Sequence, residues 1–132
     1  MAKILIVSHA NLAGALLESA AMIAGDLGEQ AAAIGLETGE SPEQLEERVR
    51  AFLDRQGGEE LLVFTDLVSG TPFNVVGSLM QHYDFQHLSG VNLGILLEAS
   101  LLLNDLPLPA LTAHLVAAFP GTFLDVTALM KE

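Results

Sequence analysis

The 132-residue sequence has no cysteine, which excludes disulfide bonds, thiol catalysis and thiolate metal sites. Positive charge is also scarce, because five Lys and Arg residues stand against 17 Asp and Glu residues, for a formal net charge of −12. Such a chain repels nucleic-acid phosphates, so we expect no nucleic-acid partner. The acidity is typical of a well-solvated surface, and it would also attract a basic protein partner.

Long apolar runs are missing as well. The longest, LGILLEASLLL, is shorter than the roughly 20 residues that a membrane-spanning helix needs, and it carries Glu98. The first residues, MAKILIVSH, lack the length and the cleavage site of a signal peptide. We therefore expect a cytoplasmic protein that does not itself span a membrane.

What the sequence does contain is an alternation of strand-like and helix-like segments, with 51% apolar residues. This alternation predicts one domain, 1–132, with an α/β fold: an open, mostly parallel sheet with helices on both faces. The apolar runs expected to form strands are 4–7, 31–36, 60–65 and 85–89. The segments with helical spacing are 12–27, 42–56, 71–80, 94–103 and 110–118.

Two candidate catalytic residues come at the ends of predicted strands. His9 ends the first strand, and Asp66 directly follows the third. In an open parallel sheet the carboxyl ends of the strands share one edge, where ligands bind near the switch point in strand order. If these strands are neighbours, Asp66 orients one ring nitrogen of His9, and the other nitrogen faces outward as a nucleophile.

The segment SGTPFN, at 69–74, predicts a place for a negatively charged group beside them. Gly70 lets the backbone approach a ligand, and Thr71, as the N-cap before Pro72, starts a helix with free N–H groups. A phosphoryl group fits, because an imidazole attacks it and amides hold its oxygens. The first helix starts just after His9 and adds the same polarity. The candidate phosphate-binding residues are Ser69, Gly70, Thr71 and Asn11.

The remaining histidines lack this context. His82 and His114 fall on predicted helices and His87 in the fourth strand, so we interpret all three as structural or surface residues. Neither an HExxH motif nor an acidic DxD loop occurs, and we expect no metal and no cofactor.

Four motifs together resemble the EIIA domains of the mannose family of the phosphoenolpyruvate-dependent sugar phosphotransferase system (PTS). They are ILIVSH with its following helix, TGESPEQL before the second helix, LLVFTDLVSGTPFN, and SGVNLGILLEAS. The chain departs from the family at Ala10 and Asn11, where Gly and an aromatic residue are frequent. The loop LVSG also lacks the family's frequent aromatic residue.

The resemblance implies a phosphotransferase component with a transient phosphohistidine. His9 would accept a phosphoryl group from the carrier protein HPr and pass it to a IIB component, which phosphorylates sugar entering through membrane IIC and IID components. Asp66 would orient and polarise His9, while Thr71 and nearby amides would hold the phosphate. The resemblance also implies a homodimer that exchanges a C-terminal antiparallel strand, and TFLDVTAL at 122–129 alternates as a strand does.

Two other functions stay open at this point. A similar domain serves as the phosphodonor of a PTS-dependent dihydroxyacetone kinase, where the partner is a soluble kinase subunit. A noncatalytic α/β regulatory module is the third interpretation. A receiver domain of that class needs paired acids after its first strand, whereas this chain has Ser8 and His9 there.

Overall fold

The computed structural model describes residues 1–131, which form an open sheet of four parallel strands with helices on both faces. The strands are β1 (Lys3–His9), β2 (Ala31–Leu36), β3 (Leu61–Thr65) and β4 (Gln86–Ser89). The helices are α1 (Leu12–Ala24), α2 (Pro42–Gln56), α3 (Thr71–Leu79), α4 (Leu93–Leu102), α5 (Leu108–Ala118) and α6 (Val126–Met130). The α/β prediction is confirmed, although the sheet is entirely rather than mostly parallel.

The strand order is β2-β1-β3-β4, so the chain leaves β1 toward one side of the sheet and returns to its other side for β3. Ile4 of β1 pairs with Ala31 on one side and with Leu62 on the other, while Thr65 of β3 pairs with Ser89 of β4. The switch in direction therefore lies between β1 and β3, where this kind of sheet usually binds its ligand.

Alternate side chains of the central strands fill two separate cores, because successive residues of a strand point to opposite faces. Ile4, Ile6 and Phe64 pack with α1, α4 and α5 on one face. Leu5 and Val7 pack with α2 and α3 on the other. Both central strands are thus buried on two sides, which explains their unbroken apolar sequences.

Leu12, Leu16, Ala20, Ile23 and Leu27 recur at helical spacing and predict one buried face for α1, which is partly wrong. Leu12 and Ile23 are 45% and 62% exposed, whereas Ala13 and Ala20 are buried against the sheet. The helix is apolar around most of its circumference, so its spacing does not select one face. For α2 the spacing predicts a buried face of Leu45, Val49, Phe52 and Leu53, and it is confirmed, since three are buried and Phe52 is partly buried.

The predicted C-terminal strand is wrong for the described residues, because 126–130 form helix α6. Asp125 caps this helix, and its carboxylate accepts a hydrogen bond of 2.9 Å from the Ala128 N–H. Val126, Leu129 and Met130 have helical spacing, whereas Leu124, Val126 and Ala128 alternate as in a strand. The segment therefore supports both patterns, and the cap favours the helix.

Membrane-spanning helices are not found in the part of the chain that the structure describes, since none of its helices is both long and apolar enough.

Candidate functional site

The pairing of β1 with β3 brings His9 and Asp66 together at the carboxyl edge of the sheet. A single carboxylate oxygen, Asp66 Oδ2, accepts a hydrogen bond of 2.9 Å from the backbone N–H of His9. The same oxygen lies 2.9 Å from Nδ1 of the His9 ring. Asp66 thus fixes both the main chain and the ring of the histidine.

The two side chains differ sharply in exposure, at 6% for Asp66 and 44% for His9. Burial by itself raises the pKa of Asp66, but the hydrogen bonds from the His9 backbone and ring outweigh it and hold the pKa below its usual value. The carboxylate is therefore ionised and can only accept hydrogen bonds. Nδ1 of His9 therefore carries a proton, and in the neutral ring the lone pair lies on Nε2.

The outward nitrogen faces Gly70. A side-chain carbon on this glycine would lie 3.3 Å from Cε1 and 3.4 Å from Nε2 of His9. Gly70 has φ +95° and is the N-cap of α3, so Thr71 is the first helical residue rather than the cap that the sequence predicted. The N–H groups of Thr71 and Phe73 lie in the first turn, where they have no intrahelical partner. An anion near Nε2 would meet the positive end of this helix.

The other two candidate phosphate-binding residues are less closely placed. Ser69 is exposed in the loop between Asp66 and α3. The Asn11 side chain lies over the first turn of α1, because a side-chain carbon on Gly14 would lie 2.6 Å from Asn11 Oδ1. Among the hydrogen bonds of residues 1–131, none joins either side chain to His9.

The turn that carries His9 into α1 is held by groups that the sequence analysis did not single out. The fully buried Ser8 hydroxyl accepts a hydrogen bond of 2.8 Å from the Ala13 N–H and donates one of 3.1 Å to the His9 carbonyl. Ala10 has φ +46°, and its carbonyl packs so closely on Gly35 that any side-chain carbon there would clash with it. A buried serine at the end of an apolar strand was the available signal, whereas the contact with Gly35 depends on strand register.

The remaining histidines lie apart from this pair. His82 is exposed in the turn after α3, not on a helix as predicted. His114 lies on α5, with Nε2 2.8 Å from a carboxylate oxygen of Glu98. His87 lies on β4, and its Nε2 is 2.9 Å from the hydroxyl of Thr65, the residue before Asp66.

Exposed apolar side chains follow both His9 and Asp66 in the sequence. Leu67 and Val68, directly after Asp66, are 55% and 71% exposed, and Leu12 is 45% exposed three residues after His9. Exposed apolar residues in a cluster indicate a surface for another protein. The site therefore combines an oriented imidazole and a helix N-terminus with exposed apolar side chains on the adjoining segments.

The fold is shared with solved structures of EIIA components of the phosphotransferase system. The structure of a phosphotransferase system component EIIA from Streptococcus agalactiae is 31% identical over 97% of this chain and 99% of that one, with a TM-score of 0.87. The mannose/sorbose-specific IIA subunit from Enterococcus faecalis is 27% identical over 92% of both chains, with a TM-score of 0.84. A PTS IIA protein associated with the fucose utilization operon of Streptococcus pneumoniae shares the fold at 23% identity, covering 98% of this chain and 96% of that one, with a TM-score of 0.81.

The amino-acid sequence also matches a family model. The model of the EIIA-man family, described as the PTS system fructose IIA component, matches residues 3–116. The chain therefore belongs to the EIIA-man family and is a component of the phosphotransferase system. No curated protein matches the chain.

Proposed function

We propose that this chain is a phosphoryl carrier in which His9 accepts a phosphoryl group from phosphorylated HPr and passes it to a IIB component. The observation that carries the proposal is the Asp66–His9 pair, with 2.9 Å between Oδ2 and Nδ1. This contact leaves Nε2 as the only ring nitrogen able to react. The family membership supports the same pathway.

The transfer needs no cofactor and no change in oxidation state. The Nε2 lone pair of His9 attacks phosphorus, a new N–P bond forms, and the N–P bond to the donor imidazole breaks with its electron pair returning to that ring. The proton on Nδ1 stays in place, so the phosphorylated ring of His9 carries a positive charge that ionised Asp66 stabilises. Passing the group to a IIB component repeats the same exchange in the forward direction.

Gly70 and the N-terminus of α3 have a complementary role in this proposal. The N–H groups of Thr71 and Phe73 would donate hydrogen bonds to the phosphoryl oxygens. The positive end of the helix would stabilise the negative charge on these oxygens during transfer. Leu12, Leu67 and Val68 would bury their exposed surfaces against the partner protein during transfer. Contact with a partner also excludes water from the labile N–P bond.

The experiment that tests the proposal is intact mass spectrometry after incubation with phosphoenolpyruvate, enzyme I and HPr. Wild-type protein should gain one acid-labile phosphoryl group, and His9→Ala should gain none while keeping its fold. His82→Ala is the matched control, because that histidine is exposed in a turn away from the site. Phosphorylation of His9→Ala, or none on the wild type, would contradict the proposal.

We also propose that two copies associate through the C-terminal segment. Phe123 and Met130 are 86% and 77% exposed, and Leu124 is 63% exposed, which is an unusual amount of apolar surface for a monomer. Light scattering should give the mass of a dimer for the wild type and a lower mass for Phe123→Ser. Met22→Ser, at an 88% exposed position on α1, is the control. A monomer at all protein concentrations would rule the dimer out.

A further inference from the structure

Three side chains behind Asp66 form a continuous chain of hydrogen bonds. Thr65, the last residue of β3, is fully buried, and its Oγ1 lies 2.7 Å from Ser89 Oγ and 2.9 Å from His87 Nε2. The Ser89 hydroxyl in turn bonds the carbonyl oxygen of Leu67. This series of hydrogen bonds thus runs from the His87 imidazole on β4, through Thr65 on β3, to the loop that follows Asp66.

The direction of these bonds follows from counting protons. A carbonyl can only accept, so the one hydroxyl proton of Ser89 goes to Leu67. Thr65 must then give its own proton to Ser89, and its Oγ1 can only accept from His87. Nε2 of His87 therefore carries a proton, and every bond in the chain points toward the Leu67 carbonyl.

This series of hydrogen bonds is anchored at His87 and at Thr65. The His87 ring packs against Phe73 of α3, with ring centroids 5.5 Å apart. Burial lowers the pKa of His87, which favours the neutral ring. The Thr65 carbonyl accepts hydrogen bonds of 2.9 and 3.2 Å from the N–H groups of Gly90 and Val91, which joins the ends of β3 and β4.

Leu67 connects this series of hydrogen bonds to the Asp66–His9 pair. Its carbonyl is held by Ser89, and its N–H donates a hydrogen bond of 3.1 Å to Oδ1 of Asp66. Oδ1 is thereby fixed from the loop, while Oδ2 is fixed by His9. The position of the Leu67 peptide groups therefore determines the orientation of the carboxylate that orients the histidine.

We propose that His87, Thr65 and Ser89 are positioning residues that hold Asp66 in the orientation at which it directs Nε2 of His9 outward. Among the described residues no hydrogen bond joins any of the three to His9, so they act through Leu67 and Asp66. The consequence for transfer rests on the proposed function, whereas the consequence for the His9 ring does not.

The test uses Ser89→Ala, which removes the link to Leu67, and Ser89→Thr, which keeps a hydroxyl. Ser100→Ala is the matched control, because the half-buried Ser100 hydroxyl also donates to a carbonyl, that of Leu97 on α4, at 2.9 Å. Nitrogen-15 NMR of the His9 ring gives the fraction with the proton on Nδ1. Single-turnover phosphorylation by phospho-HPr, with its dependence on HPr concentration, gives the rate and the affinity separately.

Ser89→Ala should shift the His9 proton from Nδ1 toward Nε2 and slow transfer roughly tenfold or more, with the HPr dependence unchanged, as expected when a reacting group is displaced by a fraction of an ångström. Ser89→Thr should restore both, and Ser100→Ala should change neither. Wild-type-like proton placement in Ser89→Ala would overturn the inference.

A second pair of variants covers the case in which Ser89→Ala does not fold. His87→Leu removes the first donor, whereas His87→Gln keeps an N–H that can reach Thr65, so only His87→Leu should shift the His9 proton. Equal behaviour of the two variants would also overturn the inference. If the wild type is not phosphorylated at all, the carrier function fails, but the NMR comparison still decides the positioning role.

Discussion

Gly70→Ala is the substitution for which the structure allows the most specific expectation. The added methyl group would lie 3.3 Å from Cε1 and 3.4 Å from Nε2 of His9. Favourable carbon contacts begin at about 3.5 Å, so either the ring or the loop must move by some tenths of an ångström. The methyl group would also occupy the space in which phosphorus approaches Nε2, since reacting atoms meet at about 3–3.5 Å.

We expect Gly70→Ala to lower both the free energy of unfolding and the phosphorylation rate. Gly70 has φ +95° and ψ −179°, a region that only glycine occupies easily, so alanine should reduce the free energy of unfolding by about 1–3 kcal/mol. Blocking the approach to Nε2 should lower the phosphorylation rate by about 100-fold or more, which corresponds to about 2.7 kcal/mol in the activation free energy.

The control is Gly25→Ala, which separates strain from obstruction. Gly25 has φ +90° and ψ 163°, nearly the same conformation as Gly70, but a side-chain carbon there would meet nothing within 4 Å. It follows α1, at the opposite end of the sheet from His9. Urea unfolding and single-turnover phosphorylation by phospho-HPr should show similar stability losses and a rate loss only for Gly70→Ala. Equal rates for the two variants would refute the placement of the phosphoryl group beside Gly70.

Three further predictions concern the carboxylate, the buried histidine and a helix cap. Asp66→Asn should slow phosphorylation by about 100-fold or more. The pKa of Asp66 is lowered in the fold, so its contribution to stability is present above about pH 3.9 and is lost on acidification. The free energies of unfolding of the wild type and Asp66→Asn should therefore converge at low pH. The pKa of His87 is also lowered, so its ring is protonated in the unfolded chain at a higher pH than in the fold, and the free energy of unfolding falls as the pH drops below about 6.5. His87→Gln should reduce this loss of stability between pH 7.5 and 5.5. An unchanged pH dependence of stability would contradict the prediction. Ser41→Ala should lower the free energy of unfolding by about 1 kcal/mol, because the Ser41–Gln44 capping box is lost, and a change within error would show that the cap is dispensable.

The sequence predicted a mostly parallel sheet, and it predicted that His9 meets Asp66 provided that their strands are neighbours. Continuous apolar runs identify strands buried on both faces, and the carboxyl ends of parallel strands share an edge, so polar residues at strand ends lie on one edge. Their contact also requires that β1 and β3 be neighbours, which the structure shows. The additional bond from the His9 backbone N–H to Asp66 depends on exact strand alignment, which composition and periodicity do not determine.

Other features depended on information that a pattern of apolar residues lacks. Thr65 and Ser89 meet because they are register partners on β3 and β4, and no local signal in the sequence gives that register. The segment 122–129 has apolar residues that suit a strand or a helix, and the Asp125 cap that favours α6 is a single local hydrogen bond. The exposed Leu12 shows the same ambiguity, because α1 is apolar on more than one face.

The pairing of β1 with β3 also has a consequence for the order of folding. β1 meets β2, and β3 meets β4, across a single intervening helix each, whereas His9 and Asp66 are 57 residues apart in the chain. Closing the longer loop costs more chain entropy, and distant pairings generally form slowly. A folding intermediate with two separate strand pairs would hold the imidazole on one pair and the carboxylate on the other. The ability to take up a phosphoryl group during refolding would therefore report the moment at which the two halves of the sheet join.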